Sequence, residues 1–122
     1  MQWEVIIGGE FAPELRAMPI EVRREVLATT DLLEQLGPLL GRPHVDTLKD
    51  SRHPNMKEMR FNAADGVWRV AFAFDPKRKA VLLIAGDKSG VSERRFYSEL
   101  IRKADDRFDA HLHRLNKETS KS

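Results

Sequence analysis

The segment VWRVAFAF, residues 67–74, constrains the fold of this 122-residue chain more than any other feature. Every second residue from Trp68 onward is large and apolar, whereas Arg69 and two alanines occupy the positions between them. Successive side chains of a β-strand point to opposite faces, so this alternation predicts a strand with one face buried in a core. The permanently charged Arg69 then lies on the opposite face, and the role of a cation at that position is the main question that the sequence raises.

The neighbouring segments extend this strand into a meander. Residues 57–61 alternate in the same way, with apolar side chains on one face and Glu58 and Arg60 on the other, and an Asp-Gly pair typical of a hairpin turn follows. After an Asp-Pro turn, residues 80–85 are apolar on both faces, as expected of a central strand covered on two sides. A short β-branched run at residues 3–7 predicts a further strand near the start of the chain.

Three segments have the spacing of amphipathic helices. Apolar residues repeat every three or four positions over residues 11–18 and 22–36, which predicts two consecutive helices. A stripe over residues 96–115 predicts a last helix, for which Ser92 is a plausible N-cap. Residues 38–55 contain three prolines and no stable period, so they predict an irregular connection.

The predicted order is β-α-α-β-β-β-α, which indicates an α+β fold with a mainly antiparallel four-stranded sheet and helices packed on one face. A single domain is expected over residues 1–115, followed by a disordered polar tail at residues 116–122. With helices on one face only, Arg60 and Arg69 would both lie on an open face of the sheet.

Two interpretations of these arginines follow from the residues alone. Arg60 could form an ion pair with Glu58 or across the strands, which contributes ~0–1 kcal/mol when exposed. Alternatively, the face presents guanidinium groups to phosphate oxygens, which their fork geometry suits. Local charge is compatible with a polyanionic partner, because residues 49–79 carry eight bases and four acids, whereas residues 10–36 carry three bases and six acids.

The composition excludes several classes of site. Without cysteine there is no disulfide, no thiolate nucleophile and no Cys-ligated zinc. The four histidines lack compact metal-ligand spacing, so no metal and no cofactor are predicted, and neither a phosphate loop nor a nucleophile elbow is present. An acidic first segment and the absence of an apolar run of about 18 residues favour a cytoplasmic protein that does not enter a membrane.

Three motifs, taken together, resemble a known family. They are KEMRF at residues 57–61, DGVWRVAFAFDPKRKAVLLIAGDKSG at 65–90 and SERRFYSELIRKADDRFDAHL at 92–112. With the order of elements over residues 1–115, they resemble the RelE/ParE toxin superfamily, and within it the HigB-like branch that is often phage-derived. The resemblance implies a type II toxin, a ribosome-dependent mRNA interferase. Such an endoribonuclease cleaves mRNA without a metal or cofactor, through attack of a ribose 2′-OH on the adjacent phosphate.

The resemblance also implies roles for particular residues. Arg69 matches the strand arginine that contacts the scissile phosphate, and Arg60 matches a second phosphate contact on the preceding strand. Lys88 matches the basic residue before the last helix, and Tyr97 matches a tyrosine that stacks on or activates the nucleotide. The strand that carries Arg60 has Glu58 where RelE-type sites carry a lysine, which is a departure from the family pattern. HigB-like members often use a histidine as the general base, so His53, just before that strand, is the candidate. The residues expected to contact RNA or the ribosome are basic: Lys57, Lys77, Arg78, Lys79, Arg94 and Arg95.

Partners are implied by the same resemblance. A cognate HigA-like antitoxin is expected to neutralise the chain, which would itself bind mRNA and the ribosome, with operator DNA bound only indirectly through the antitoxin. Two alternatives stay open. One is a ParE-like toxin that inhibits DNA gyrase without nuclease activity, which would tolerate the loss of Tyr97 and His53. The other is an inactive phage-borne regulatory relative.

Overall fold

The computed structural model describes residues 2–120 and confirms an α+β fold. Its elements in chain order are β1 (Glu4–Ile7), α1 (Phe11–Arg16), α2 (Ile20–Leu36), a 3-10 turn (Gly37–Leu39), β2 (Val45–Thr47), β3 (Met56–Ala63), β4 (Gly66–Phe74), β5 (Lys79–Asp87) and α3 (Glu93–Ser120). Every predicted helix and strand is present. One additional strand, β2, lies in the segment for which the sequence predicts an irregular connection.

The sheet has five strands in the order β1-β5-β4-β3-β2, rather than the four predicted. Only β1 and β5 run parallel, so the prediction of a mainly antiparallel sheet is confirmed. The additional strand β2 pairs antiparallel with β3, with Val45 opposite Met59. Three residues are too few to show an alternating pattern, and the pairing that makes them a strand comes from residues further along the chain.

Helices cover both faces of the sheet, so the prediction of helices on one face is wrong. Helices α1 and α2 pack on the face that carries Met59, Val70 and Phe72. Helix α3 packs on the opposite face, where Ala71 and Ala73 are fully buried. The two small side chains allow the long apolar stripe of α3 to lie close to β4.

Helix α3 is the longest element and provides most of the second core. Its stripe is confirmed, because Phe96, Leu100, Ala104 and Phe108 are all buried against the sheet. The Ser92 hydroxyl accepts a hydrogen bond from the amide of the residue three positions later, as predicted for an N-cap. The helix continues beyond residue 115, so residues 116–120 of the expected disordered tail are helical, while 121–122 lie outside the described residues.

The β3–β4 hairpin sets the positions of the two strand arginines. Eight residue pairs align, and Arg60 lies directly opposite Arg69. The hairpin turns at Ala64 and Asp65, which both have positive φ angles of 48° and 59°. The loop is therefore Ala-Asp rather than the predicted Asp-Gly, and it fixes a register in which both arginines point toward α3.

Candidate functional site

Arg69 lies beneath α3 and is almost completely buried, with 5% of its surface exposed. Its Nε donates a hydrogen bond to the Tyr97 hydroxyl at 3.1 Å, and its terminal nitrogen donates to the Trp68 carbonyl at 2.9 Å. The expectation of an open face around this arginine is therefore wrong, because α3 covers that face. The structure does bring Arg69 and Tyr97 together, although they are 28 residues apart in sequence.

Glu58 connects these groups to Arg60. One of its carboxylate oxygens accepts a hydrogen bond from Arg60 at 2.9 Å. The other accepts from the Tyr97 hydroxyl at 2.8 Å and lies 3.6 Å from the Arg69 Nε. We refer to Glu58, Arg60, Arg69 and Tyr97 as the arginine cluster. The ion pair between Glu58 and Arg60 that the sequence suggested is present, but it belongs to this larger arrangement.

The cluster is electrostatically balanced despite its burial. Glu58 is only 4% exposed, and a carboxylate in such a position requires nearby cations and hydrogen-bond donors, which the two arginines and Tyr97 supply. Burial raises the pKa of the Tyr97 hydroxyl, and its hydrogen bond to Glu58 raises it further, whereas Arg69 acts in the opposite direction. Tyr97 is therefore protonated at neutral pH and serves as a hydrogen-bond donor.

A groove of about 800 Å³ adjoins the cluster on the side of β2 and the first half of α3. Glu58, Arg60 and Tyr97 form part of its wall, whereas Arg69 is not among its lining residues. The lining is rich in cations: Arg42, Lys49, Arg52, Arg60, Arg94 and Arg102. Four carboxylates accompany them: Asp46, Asp50, Glu58 and Glu93. The six cations outnumber the four carboxylates, and Arg42 is paired with Asp46 and Arg60 with Glu58, so the groove carries a modest excess of positive charge.

A polar contact holds one wall of the groove against α3. The Ser51 hydroxyl and the Arg52 amide both donate to the carboxylate of Asp105, which is buried. The Arg52 side chain also forms ion pairs with carboxylates on α3. These groove residues are not predicted from the sequence, because the segment that contains them has no periodic pattern and its partner Asp105 lies more than 50 residues away.

Lys88 lies close to the cluster, at the end of β5. Its ammonium group forms an ion pair with Glu93 at 2.6 Å, and its amide donates to the Val67 carbonyl. The hydrogen bond and charge of Lys88 lower the pKa of Glu93, and the charges of Arg69 and Arg60 act in the same direction. Lys88 is thus part of the same electrostatic environment through Glu93.

His53 is not part of the arginine cluster. Its Nε2 lies 2.7 Å from a carboxylate oxygen of Asp109, and its ring packs edge-on against Phe108. Asp109 follows Tyr97 by twelve residues of α3, which corresponds to about 18 Å along the helix axis. The structure therefore gives His53 a role in joining the segment before β3 to α3.

Most of the basic residues expected to bind RNA lie elsewhere. Lys57 is on the opposite sheet face and donates to the Thr47 hydroxyl. The residues 77–79 lie at the far end of β4, which is about 17 Å from Arg69 along the strand. Of the six predicted residues, Arg94 is the one that lines the groove, and Arg95 is exposed nearby at the start of α3.

Among residues 2–120, no group of three or more histidine, aspartate and glutamate side chains is arranged to hold a metal ion. None of the helices in that part of the chain is both long and apolar enough to cross a membrane.

Sequence comparisons find relatives of this chain. The model of the family "Phage derived protein Gp49-like" matches residues 13–109. Two Mycobacterium tuberculosis (strain ATCC 25618 / H37Rv) proteins, named as toxins HigB2 and HigB3, are each 43% identical to it over 99 residues. The matches cover 80% of this chain and 49% of HigB2, and 78% of this chain and 84% of HigB3. The chain thus spans about half the length of HigB2 and most of the length of HigB3.

Solved structures share the fold. A double arginine-to-alanine mutant of the E. coli toxin RelE in the free state has a TM-score of 0.65 and 13% identity, over 88% of this chain and 98% of RelE. The archaeal RelE-RelB complex from Pyrococcus horikoshii OT3 contains a chain with a TM-score of 0.54 and 22% identity, over 75% of this chain and 100% of that chain. At these identities the likeness concerns the fold alone.

Proposed function

Because the chain belongs to the Gp49-like family of phage-derived proteins, in the HigB-like branch of the RelE superfamily, we propose that it is the toxin of a toxin–antitoxin pair. Its proposed activity is that of a ribosome-dependent mRNA interferase in the cytoplasm. The substrate is the phosphodiester backbone of mRNA, and the products are a 2′,3′-cyclic phosphate and a 5′-OH.

One observation carries this proposal most strongly. Arg60 and Arg69 lie directly opposite each other on paired strands, and both are joined to Tyr97 through Glu58 at the edge of a cation-lined groove. Two guanidinium groups that both lie near one carboxylate suit the oxygens of one phosphate, and negative charge on those oxygens grows as the 2′-OH attacks.

The groove supplies the binding surface for the RNA backbone. Arg94 and Arg102 on α3 face the groove together with Arg42 and Arg52 on the β2 side. Contacts of this kind are to phosphate and do not depend on sequence, so they position the RNA without selecting it. Arg69 becomes available to the scissile phosphate when its hydrogen bond to the Tyr97 hydroxyl breaks, while Tyr97 keeps its own hydrogen bond to Glu58.

A partner follows from the same comparisons. The RelE neighbour occurs in a complex with RelB, and both sequence relatives carry toxin names. We expect a HigA-like antitoxin to bind this chain and block the groove, and we expect operator DNA to be bound through that antitoxin.

The activity is tested with purified protein, translating ribosomes and a defined mRNA, with cleavage sites mapped by primer extension. The intact chain should cut the mRNA only when ribosomes are present. Arg69→Ala and the charge-retaining Arg69→Lys should each lower the cleavage rate at least about 100-fold, because neither retains the guanidinium fork. Arg24→Ala is the matched control, since Arg24 is an exposed arginine on α2 away from the groove.

Two results would refute the proposal. The first is an intact mRNA together with inhibition of DNA supercoiling by gyrase, which would make the chain a ParE-like toxin. The second is full cleavage by a folded Arg69→Ala variant, as judged by circular dichroism, which would remove Arg69 from the site.

A further inference from the structure

We propose that Glu58 and Tyr97 form a proton relay, in which Glu58 accepts the proton of the attacking 2′-OH and Tyr97 donates a proton to the leaving 5′-oxygen. This inference rests on the proposed nuclease function and assigns the acid and base that the function requires. Neither Glu58 nor Tyr97 is the general base that the sequence predicts. The family resemblance makes His53 the candidate for that role, and Glu58 is a departure from the family pattern.

Position is the first argument for Glu58. Its carboxylate contacts Arg60, Tyr97 and Arg69 at 2.9, 2.8 and 3.6 Å, so it lies where a phosphate held by both arginines would lie. It also forms part of the groove wall, with 4% of its surface exposed before a substrate binds. A general base must come within hydrogen-bond distance of the proton that it removes, and this position allows that contact.

The other ionisable groups near the site are less suitable. The Glu93 side chain is 74% exposed, and its carboxylate forms an ion pair with Lys88, so each group already has a partner of opposite charge. His53 is held by Asp109 at a distance from the cluster.

Substrate binding would free Glu58 for this role. In the structure, Arg60 donates to one carboxylate oxygen of Glu58. When phosphate oxygens replace that carboxylate as the partners of Arg60, one Glu58 oxygen becomes free to accept a proton. The base is thus exposed only when a phosphate is in place, which couples substrate binding to the chemical step.

The proton balance closes within the cluster. The 2′-oxygen forms a bond to phosphorus while its proton passes to Glu58. The bond between phosphorus and the 5′-oxygen breaks, and the 5′-oxygen takes the hydroxyl proton of Tyr97. The protonated Glu58 then returns a proton to the Tyr97 oxygen across their 2.8 Å hydrogen bond, so both residues end as they began. The raised pKa of Tyr97 keeps this hydroxyl protonated before the reaction, as a donor must be.

The test is single-turnover cleavage of mRNA on programmed ribosomes by Glu58→Gln, Tyr97→Phe and the double variant. Each single substitution should lower the maximal rate at least about 100-fold and leave the half-saturating protein concentration within about threefold, because the groove cations are intact. The double variant should be no slower than the slower single variant, because a relay fails as a unit. Glu58→Asp should keep about a tenth of the activity, and Glu99→Gln, an exposed carboxylate on α3, should match the intact chain.

The outcomes separate the relay from the nuclease function. If Glu58→Gln cleaves as fast as the intact chain while Arg69→Lys is inactive, the relay is wrong and the nuclease function stands. If the two single losses multiply, or if Tyr97→Phe cleaves faster, the residues act independently or Tyr97 only covers Arg69, and the relay is again wrong. If the intact chain does not cleave mRNA at all, both proposals fall. Far-UV circular dichroism of each variant identifies an effect that comes from unfolding.

Discussion

Replacing Arg69 by methionine tests whether α3 truly buries the arginine cluster. The substitution keeps the unbranched stem but removes the hydrogen bonds to Tyr97 and Trp68, each of which contributes about 1 kcal/mol. It also leaves the buried Glu58 carboxylate with one cation, Arg60, instead of two. Breaking a buried pair costs ~3–5 kcal/mol when no partner remains, so with Arg60 retained we expect a total loss of about 3 kcal/mol. Because both Arg69 and Glu58 are almost fully buried, solvent screening reduces this value little.

Urea unfolding measures this loss, followed by the fluorescence of Trp3 and Trp68 and by far-UV circular dichroism. With a urea dependence of about 1.5 kcal/mol per molar, the midpoint should fall by about 2 M. Adding Glu58→Gln to Arg69→Met should recover about 1 kcal/mol, because the unpaired buried charge is then removed. The control Arg24→Met, at an exposed position of α2, should stay within about 0.5 kcal/mol of the unsubstituted chain. Equal urea midpoints for Arg69→Met and Arg24→Met would show that the face around Arg69 is open.

Three further substitutions test the fold. Gly37→Ala should lower the free energy of unfolding by at least about 2 kcal/mol in urea titrations. Gly37 has a φ of 53°, and an added Cβ would overlap with the Trp3 indole ring. An unchanged free energy of unfolding would contradict the contact between Gly37 and Trp3. Ala64→Gly should raise the free energy of unfolding by about 1 kcal/mol, because Ala64 has a φ of 48° in the hairpin turn. Its melting temperature should therefore rise, and a lower melting temperature would refute the turn geometry. Glu14→Gln should destabilise the chain by about 0.5 kcal/mol at neutral pH, because Glu14 forms two hydrogen bonds with Arg107. The hydrogen bond and charge of Arg107 lower the pKa of Glu14 from 4.5, so this contribution is present above that value and is lost as the pH falls below it; a difference that persists at about pH 2 would refute the assignment.

The sequence predicted the strands and helices well, because each has a strong period of its own. The strand β4 alternates over its whole length, and α3 repeats its apolar stripe over five turns. The apolar run of β5 even indicated that both sheet faces are covered. The prediction that all helices lie on one face contradicted that indication. In the structure helices cover both faces, as the pattern of β5 indicates.

The position of the arginines could not be predicted from their own strands. A small residue on a strand face is compatible with an open surface or with a closely packed helix, and nothing local distinguishes the two cases. Ala71 and Ala73 are compatible with either case, and in the structure they pack against α3. The choice depends on contacts between β4 and a helix that begins 19 residues after the strand ends, so it belongs to tertiary packing.

Only part of the candidate site could be predicted, again because its contacts join segments that are far apart in the sequence. Arg60, Arg69 and Tyr97, three of the residues to which the resemblance gives a role, are brought together through Glu58 in the structure, and their role in catalysis stays a prediction. His53 was chosen for its proximity to β3 in sequence, yet its partner Asp109 lies 56 residues further on. Long-range ion pairs of this kind leave no periodic signal, so sequence order was a poor guide to them.

The chemistry of the cleaved mRNA ends tests the central claim most directly. If this chain cleaves by 2′-OH attack at the arginine cluster, the downstream fragment carries a 5′-OH, which polynucleotide kinase labels without prior phosphatase treatment. The upstream fragment then carries a 2′,3′-cyclic phosphate, and Arg69→Lys yields neither product. A downstream fragment that is labelled only after phosphatase treatment, or the same fragments from Arg69→Lys at an equal rate, would contradict the proposed mechanism.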